Sequence, residues 1–153
     1  MDVKSELKKV YTNRLLQSQK EISEFEEALS YLITLGDTSI ISELCMVFDD
    51  DTEQYEVMFG LVHGIEQLYK ENIEEGLYLI AISVPNVIDR AADWMEVLHY
   101  RILNHDQVRI SYGKVLSKLD EETKRVVINL LNDIKNEDPN LFSSSVDEVI
   151  KAI

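Results

Sequence analysis

The chain has 153 residues, 45% hydrophobic and 29% charged, a composition typical of one globular domain and unlike that of a disordered chain. Its formal net charge is −14: residues 1–20 hold five Lys/Arg against two Asp/Glu, residues 21–100 two against eighteen, and residues 101–153 eight against nine. A field of this sign repels nucleic acid and anionic membranes and attracts basic partners, so we expect no nucleic acid and no membrane as partners.

Apolar residues recur at spacings of three and four along most of the chain, which predicts helices. No segment alternates in the way that a strand would. In chain order, the apolar stripes lie at about residues 3–11, 22–33, 40–48, 53–69, 73–84, 91–103, 108–119, 127–134 and 146–153. We therefore predict an all-α fold of about eight helices.

Several residues indicate where these helices begin and end. Gly36 predicts the C-terminal cap of the second helix. The run from Asp49 to Thr52 predicts an acidic loop between two helices. Pro85 should end one helix, so that Asn86 caps the next, which contains Trp94.

The helix after the acidic loop has two unusual features. Glu53 and Glu56 are predicted in its first turn, where the helix dipole favours anions. Gly60 and Gly64 lie in its interior, where each glycine costs roughly 1 kcal/mol. This pair predicts that another backbone packs closely against that face.

A repeat is the next feature. Leu29, Leu61, Trp94 and Leu130 occupy matching places in alternate helices, and periods in the thirties that join paired helices are typical of α-solenoids. We expect one domain, residues 1–153, in which antiparallel helical hairpins stack as a short solenoid of HEAT or tetratricopeptide type. A compact helical bundle is the second choice.

Motifs for catalysis or metal binding are weak. Glu96 and His99 form one Glu-x-x-His pair, whereas di-iron bundle proteins use two such pairs and two further glutamates. None of the three histidines belongs to a hydrolase, zinc-protease or phosphate-binding motif. We expect no catalytic residue, no metal and no cofactor, and therefore no enzyme.

Location in the cell follows from the termini and the cysteine. Cys45 is the only cysteine, so the chain forms no internal disulfide. The first residues lack the apolar core of a signal peptide, and no apolar run is long enough to cross a membrane. We expect the protein in the cytoplasm.

A protein-binding surface is the interpretation that the acidic middle favours, because carboxylates attract Arg and Lys while Tyr supplies rigid contact area. Crowding so many carboxylates together is unfavourable unless a partner of opposite sign binds them. The candidate binding residues are Asp49, Asp50, Asp51, Glu53, Tyr55, Glu56, Glu71, Glu74, Glu75, Asp89 and Asp93.

A second group of residues is predicted to be structural. Trp94, the only tryptophan, lies in the middle of an apolar stripe and should be a core residue. Four polar residues beside the stripes should tie neighbouring helices together, since partly buried polar groups need partners. They are His63, Glu66, Arg101 and Asn104, with Glu66 and Arg101 as the predicted pair.

Two segments carry a resemblance to a known family. HGIEQLY at residues 63–69, followed by AADWMEVLHYRILN at residues 91–104, resembles the Immunity protein 30 family of bacterial polymorphic-toxin systems. The resemblance covers roughly residues 38–137, with flanking helices at 1–35 and 140–153. Its matching residues are His63, Ile65, Glu66, Ala91, Trp94, Leu98, Arg101, Ile102, Leu103 and Asn104.

The resemblance implies a small cytosolic antitoxin that binds a cognate toxin domain and blocks it without catalysis. The acidic charge of the chain predicts that this domain has a basic surface. The alternative is an α-solenoid adaptor that binds a basic partner unrelated to any toxin.

Overall fold

Helices make up most of the chain in the computed structural model, which describes residues 2–153. The elements are α1 (Val3–Thr12), α2 (Gln19–Thr34), a 3-10 turn (Thr38–Ile40), α3 (Ile41–Cys45), α4 (Tyr55–Glu71), α5 (Ile73–Leu103), α6 (Asp106–Ser117), α7 (Glu121–Glu137) and α8 (Pro139–Lys151). Within residues 2–153 there are eight α-helices and no strand, which confirms the predicted all-α class.

Polar side chains begin most of these helices. At each such start a side-chain acceptor bonds a backbone N–H that has no partner inside its helix. The capping residues of the α-helices are Asp2, Ser18, Asn72, His105, Asp120 and Asp138. Gly36 adopts a positive φ of 67° just beyond the end of α2, the conformation expected of a helix-ending glycine.

Pro85 lies inside α5, so the predictions that Pro85 ends a helix and that Asn86 caps the next one are wrong. Helix α5 runs through the proline and breaks its geometry at Ala91 instead, where φ is −140° and ψ is 42°. Proline removes one backbone hydrogen bond, but five other helices pack against α5 and hold it together: α3, α4, α6, α7 and α8.

The start of α4 also differs from the prediction. Gln54 precedes the first helical residue, Tyr55, so Glu53 lies in the preceding loop and only Glu56 lies in the first turn. Since Gln54 provides no side-chain hydrogen bond, this helix start is uncapped. Its first backbone N–H groups therefore remain available to solvent or to a partner.

The close approach of another backbone to a glycine occurs at a different place from the one predicted. A Cβ at Gly60 would meet nothing within 4 Å, and one at Gly64 would meet the side chain of Ile33 rather than a backbone. At Gly76 the same Cβ would lie 2.3 Å from Cβ and 2.8 Å from Cα of Tyr69. The backbones of α4 and α5 therefore approach each other at Gly76, just after the turn that joins them.

The core forms around α5. One continuous apolar cluster extends from Val10 of α1 to Val149 of α8. In a solenoid each hairpin contacts mainly its neighbours, whereas α5 contacts helices from both ends of the chain. The fold is a compact helical one, and the stacking of hairpins as a solenoid is not confirmed.

Candidate functional site

Part of the acidic loop between α3 and α4 is buried. Asp49 is only 3% exposed, and its Oδ2 accepts a hydrogen bond from Arg14 Nε at 3.0 Å. Arg90 Nε lies 3.8 Å from the same oxygen, and Asp49 Oδ1 accepts the backbone N–H of Asp51 at 2.9 Å. Asp49 thus joins the segment after α1 to α5, and its carboxylate does not face solvent.

Asp50 caps the part of α5 that follows the kink at Ala91. Its Oδ2 accepts the backbone N–H of Asp93 at 3.0 Å, and its Oδ1 accepts that of Trp94 at 3.2 Å. Its own N–H donates to the carbonyl of Arg90 at 3.1 Å. The non-helical residue Ala91 leaves these N–H groups without partners in their own helix, and a residue about forty positions earlier in the chain caps them.

This cap predicts a difference between adjacent aspartates. We expect Asp50→Ala to lower the free energy of unfolding by about 1–2 kcal/mol, the range for loss of a helix cap. Asp51→Ala, at an exposed position in the same loop, should change it by less than about 0.5 kcal/mol. Urea unfolding of both variants measures the difference, and equal losses would show that Asp50 caps nothing of consequence.

An aromatic pocket lies beside this cap. It is lined by Tyr55 and Phe59 of α4, by Trp94 and Val97 of α5, and by the carboxylates of Asp50 and Asp93; we call it the Trp94 pocket. Its volume is about 310 Å³. The pocket therefore brings together four of the predicted residues: Asp50, Tyr55, Asp93 and Trp94.

Three aromatic rings surround Trp94. Phe48 stacks on the indole from the core side, with ring centroids 6.1 Å apart and an interplanar angle of 14°. Phe59 meets it edge-on at 5.9 Å, and Tyr55 lies at 6.5 Å. Trp94 is 6% exposed while Tyr55 is 63% exposed, so the indole forms the floor of the pocket and the phenol ring its open wall.

The remaining acidic candidates fall into two places. The first group is exposed and lies within a few residues of the pocket-lining residues in sequence. It consists of Asp51, Glu53 and Glu56, and of Asp89 on α5. The exposed side chains at the turn between α4 and α5 lie at the other end of α4, roughly 24 Å away by helix rise. These are Glu71, Glu74 and Glu75. The structure therefore does not gather all the acidic candidates into one patch.

The predicted pair of Glu66 and Arg101 is present. Arg101 Nε and Nη2 each lie 3.1 Å from Glu66 Oε1, and this contact joins α4 to α5. His63 Nδ1 lies 3.4 Å from the same oxygen, although His63 is otherwise exposed. Asn104 is exposed, at the edge of a shallow cleft beside Tyr69.

His99 is a buried polar residue whose structural role the sequence analysis missed. Its Nδ1 donates to the carbonyl of Met95 at 2.7 Å, so its Nε2 accepts from the hydroxyl of Tyr112 at 2.6 Å. Both ring nitrogens of His99 therefore make hydrogen bonds within the core. Across residues 2–153 no group of three or more His, Cys, Asp or Glu side chains is placed to hold a metal ion.

The pKa values of two neighbouring groups on α5, His99 and Glu96, are shifted in opposite directions. Burial lowers the pKa of His99 from 6.5 to about 4. Burial, with the nearby carboxylate of Glu137, raises the pKa of Glu96 from 4.5 to about 7. The unfolded chain binds the extra proton at His99 between pH 6.5 and 4, so stability falls as the pH falls there. The folded chain binds the extra proton at Glu96 between pH 7 and 4.5, so stability is lost as the pH rises there.

These opposed effects predict the outcome of one substitution. His99 alone would contribute a loss of up to about 3 kcal/mol on acidification, which Glu96 partly offsets. We expect Glu96→Gln to raise the free energy of unfolding above pH 7 by about 1 kcal/mol and to steepen its fall towards pH 5. Urea unfolding across pH 5–8 measures both slopes; parallel curves for wild type and variant would contradict the assignment.

Comparison with known proteins identifies a family. The family model described as Immunity protein 30 matches residues 12–112. Neither a curated protein nor a solved structure matches the chain. The matched segment begins and ends earlier than the resemblance over 38–137. It contains the acidic loop and the Trp94 pocket, and it ends at the tyrosine that bonds His99.

No helix within residues 2–153 is both long enough and apolar enough to span a membrane.

Proposed function

We propose that the chain is an immunity protein that binds a cognate toxin domain and blocks it, since it belongs to the Immunity protein 30 family, whose model matches residues 12–112 of its 153. This match is the observation on which the proposal rests. Inhibition by binding requires no catalytic group in the chain, and we propose none.

The negative charge of the chain supports the proposal that its partner is basic. Residues 21–100 hold eighteen Asp/Glu against two Lys/Arg, and one of those two, Arg90, is paired with the buried Asp49. A surface of this sign attracts a basic toxin domain and speeds association by about 10–10³-fold. We propose that the binding surface centres on the Trp94 pocket and includes the exposed carboxylates of Asp51, Glu53 and Glu56, and that the protein acts in the cytoplasm.

The survival of cells that carry the toxin tests this function. The toxin domain encoded beside the gene for this chain is expressed with and without the chain. Protection by the wild type, with a complex that copurifies, is the expected result. If the wild type does not protect, the antitoxin proposal fails, and an adaptor that binds a different basic protein becomes the better interpretation.

Charge reversal tests the surface. Glu53→Lys with Glu56→Lys should lower the association rate with the toxin domain by about tenfold at low salt, and raising the salt concentration should reduce this difference, because rim charges act chiefly on encounter. The side chains of Glu53 and Glu56 face solvent, whereas those of Asp49 and Asp50 maintain the fold and are unsuitable for this test.

A matched control lies outside the family segment. Glu121 and Glu122 are also exposed, in the first turn of α7, so their replacement by lysine changes the net charge equally. Equal rates for the two double variants would mean that only total charge matters and that the surface near the pocket is not the binding site.

A further inference from the structure

The Trp94 pocket has the chemistry of a site for one organic cation. Its lining carries three aromatic rings and two carboxylates, and no basic side chain. The face of an aromatic ring attracts a cation within about 6 Å, and tryptophan does so most strongly.

The carboxylates of the pocket retain the capacity to bind. Asp50 uses one acceptor position on each oxygen for the N–H groups of Asp93 and Trp94. A carboxylate has about four such positions, so two remain. Asp93 is exposed at the rim, and its charge contributes to raising the pKa of Asp50, after burial as the main cause. A bound cation would relieve this repulsion between like charges.

The size and shape of the pocket favour a single side chain. About 310 Å³ is at the bottom of the range for small-molecule sites, roughly 300–1,000 Å³. A guanidinium group is planar, stacks on aromatic rings and gives up water more readily than an ammonium group does. Its forked N–H groups can bond one carboxylate while its face lies on a ring. These properties favour arginine over lysine.

We propose that the Trp94 pocket binds one arginine side chain of the partner protein, held between Tyr55 and Trp94 and bonded to Asp50 or Asp93. This inference rests on the proposed function in one respect, because it takes the partner to be the toxin domain. It makes the pocket the centre of the interface, with the exposed glutamates at its rim.

A small probe tests the chemistry directly. The full chain is titrated with N-acetyl-arginine amide at constant ionic strength, and the fluorescence and the indole N–H resonance of Trp94 are followed. Because Trp94 is the only tryptophan, its signal reports the pocket alone. The citrulline analogue, which has the same shape without the charge, is the control, and N-acetyl-lysine amide is the competitor.

Saturable changes with the arginine probe, weaker ones with lysine and none with citrulline are expected. Tyr55→Leu and Asp93→Asn should each weaken binding of the arginine probe by about two- to fivefold, whereas Tyr55→Phe, which keeps the ring, should not. Tyr55 is largely exposed, so its replacement should leave the unfolding midpoint unchanged. Equal responses to arginine and citrulline, tighter binding of lysine, or unchanged binding by Tyr55→Leu would overturn the inference.

Protection of cells separates this inference from the proposed function. If the wild type protects and the Tyr55→Leu, Asp93→Asn double variant does not, both are supported. If the double variant protects as well as the wild type, the pocket is not the toxin's site: the antitoxin function stands, and the proposed binding surface at the pocket falls with this inference. If the wild type itself fails to protect, the proposed function and the toxin as partner both fall.

Discussion

Replacing Trp94 with alanine is expected to lower the free energy of unfolding by about 3–5 kcal/mol, the range for loss of a large buried aromatic side chain. The indole is 6% exposed and contacts the rings of Phe48 and Phe59, so its removal leaves a cavity that the stacked Phe48 ring cannot fill by a small shift. Typical domains are stable by only 5–15 kcal/mol, so this single change removes a large share of the total.

Urea unfolding, followed by circular dichroism because the variant has no tryptophan, measures this loss. Trp94→Phe is the matched comparison: it keeps a ring against Phe48 and should cost clearly less. The native emission of the wild type should be that of an indole shielded from water. Solvent-like emission, or a loss below about 1 kcal/mol for the alanine variant, would contradict the placement of Trp94 in the core.

The second large effect is expected at Gly76, where replacement with alanine should destabilise the fold by about 3 kcal/mol. The new methyl group would lie 2.8 Å from Cα of Tyr69, a backbone atom that cannot move without separating α4 from α5. Inserting atoms into packed contacts typically costs 1–3 kcal/mol, and a clash with backbone lies at the upper end of that range.

Gly60 provides the control for this prediction. It lies inside α4 with nothing within 4 Å of its Cβ position, so Gly60→Ala should raise the free energy of unfolding by about 0.5–1 kcal/mol through helix propensity alone. The two substitutions make the same chemical change with opposite expected signs. A stabilising effect of Gly76→Ala in chemical denaturation would mean that the helices are farther apart than the structure places them.

Local signals in the sequence predicted much of this fold. The spacing of apolar residues located the helices, and Gly36 marked the end of α2, because both depend on residues close together in the chain. The continuation of α5 through Pro85 could not be predicted from such local signals. Whether a proline ends a helix depends on the helices that pack around it, and in α5 that packing keeps the helix continuous as far as Ala91.

Prediction of the site was limited in the same way. Charge counting identified an acidic region, but it could not distinguish Asp49, which pairs with Arg14, from exposed neighbours such as Asp51. Asp50 caps N–H groups that lie more than forty positions later in the chain, so no short sequence motif could indicate this cap. The burial of His99 could have been predicted from the sequence. His99 lies on the same helix face as Met95 and Ile102, next to Leu98, and this spacing indicates a core position.

Hydrogen exchange measured with and without bound toxin domain locates the surface of the chain that the toxin covers. The uncapped first turn of α4 should exchange quickly in the free protein, since its first N–H groups lack helical partners. If the toxin binds at the Trp94 pocket, it should slow exchange over residues 51–59 and leave the exposed first turn of α7 unchanged. Slower exchange at α7 and α8, with residues 51–59 unaffected, would contradict this placement of the toxin.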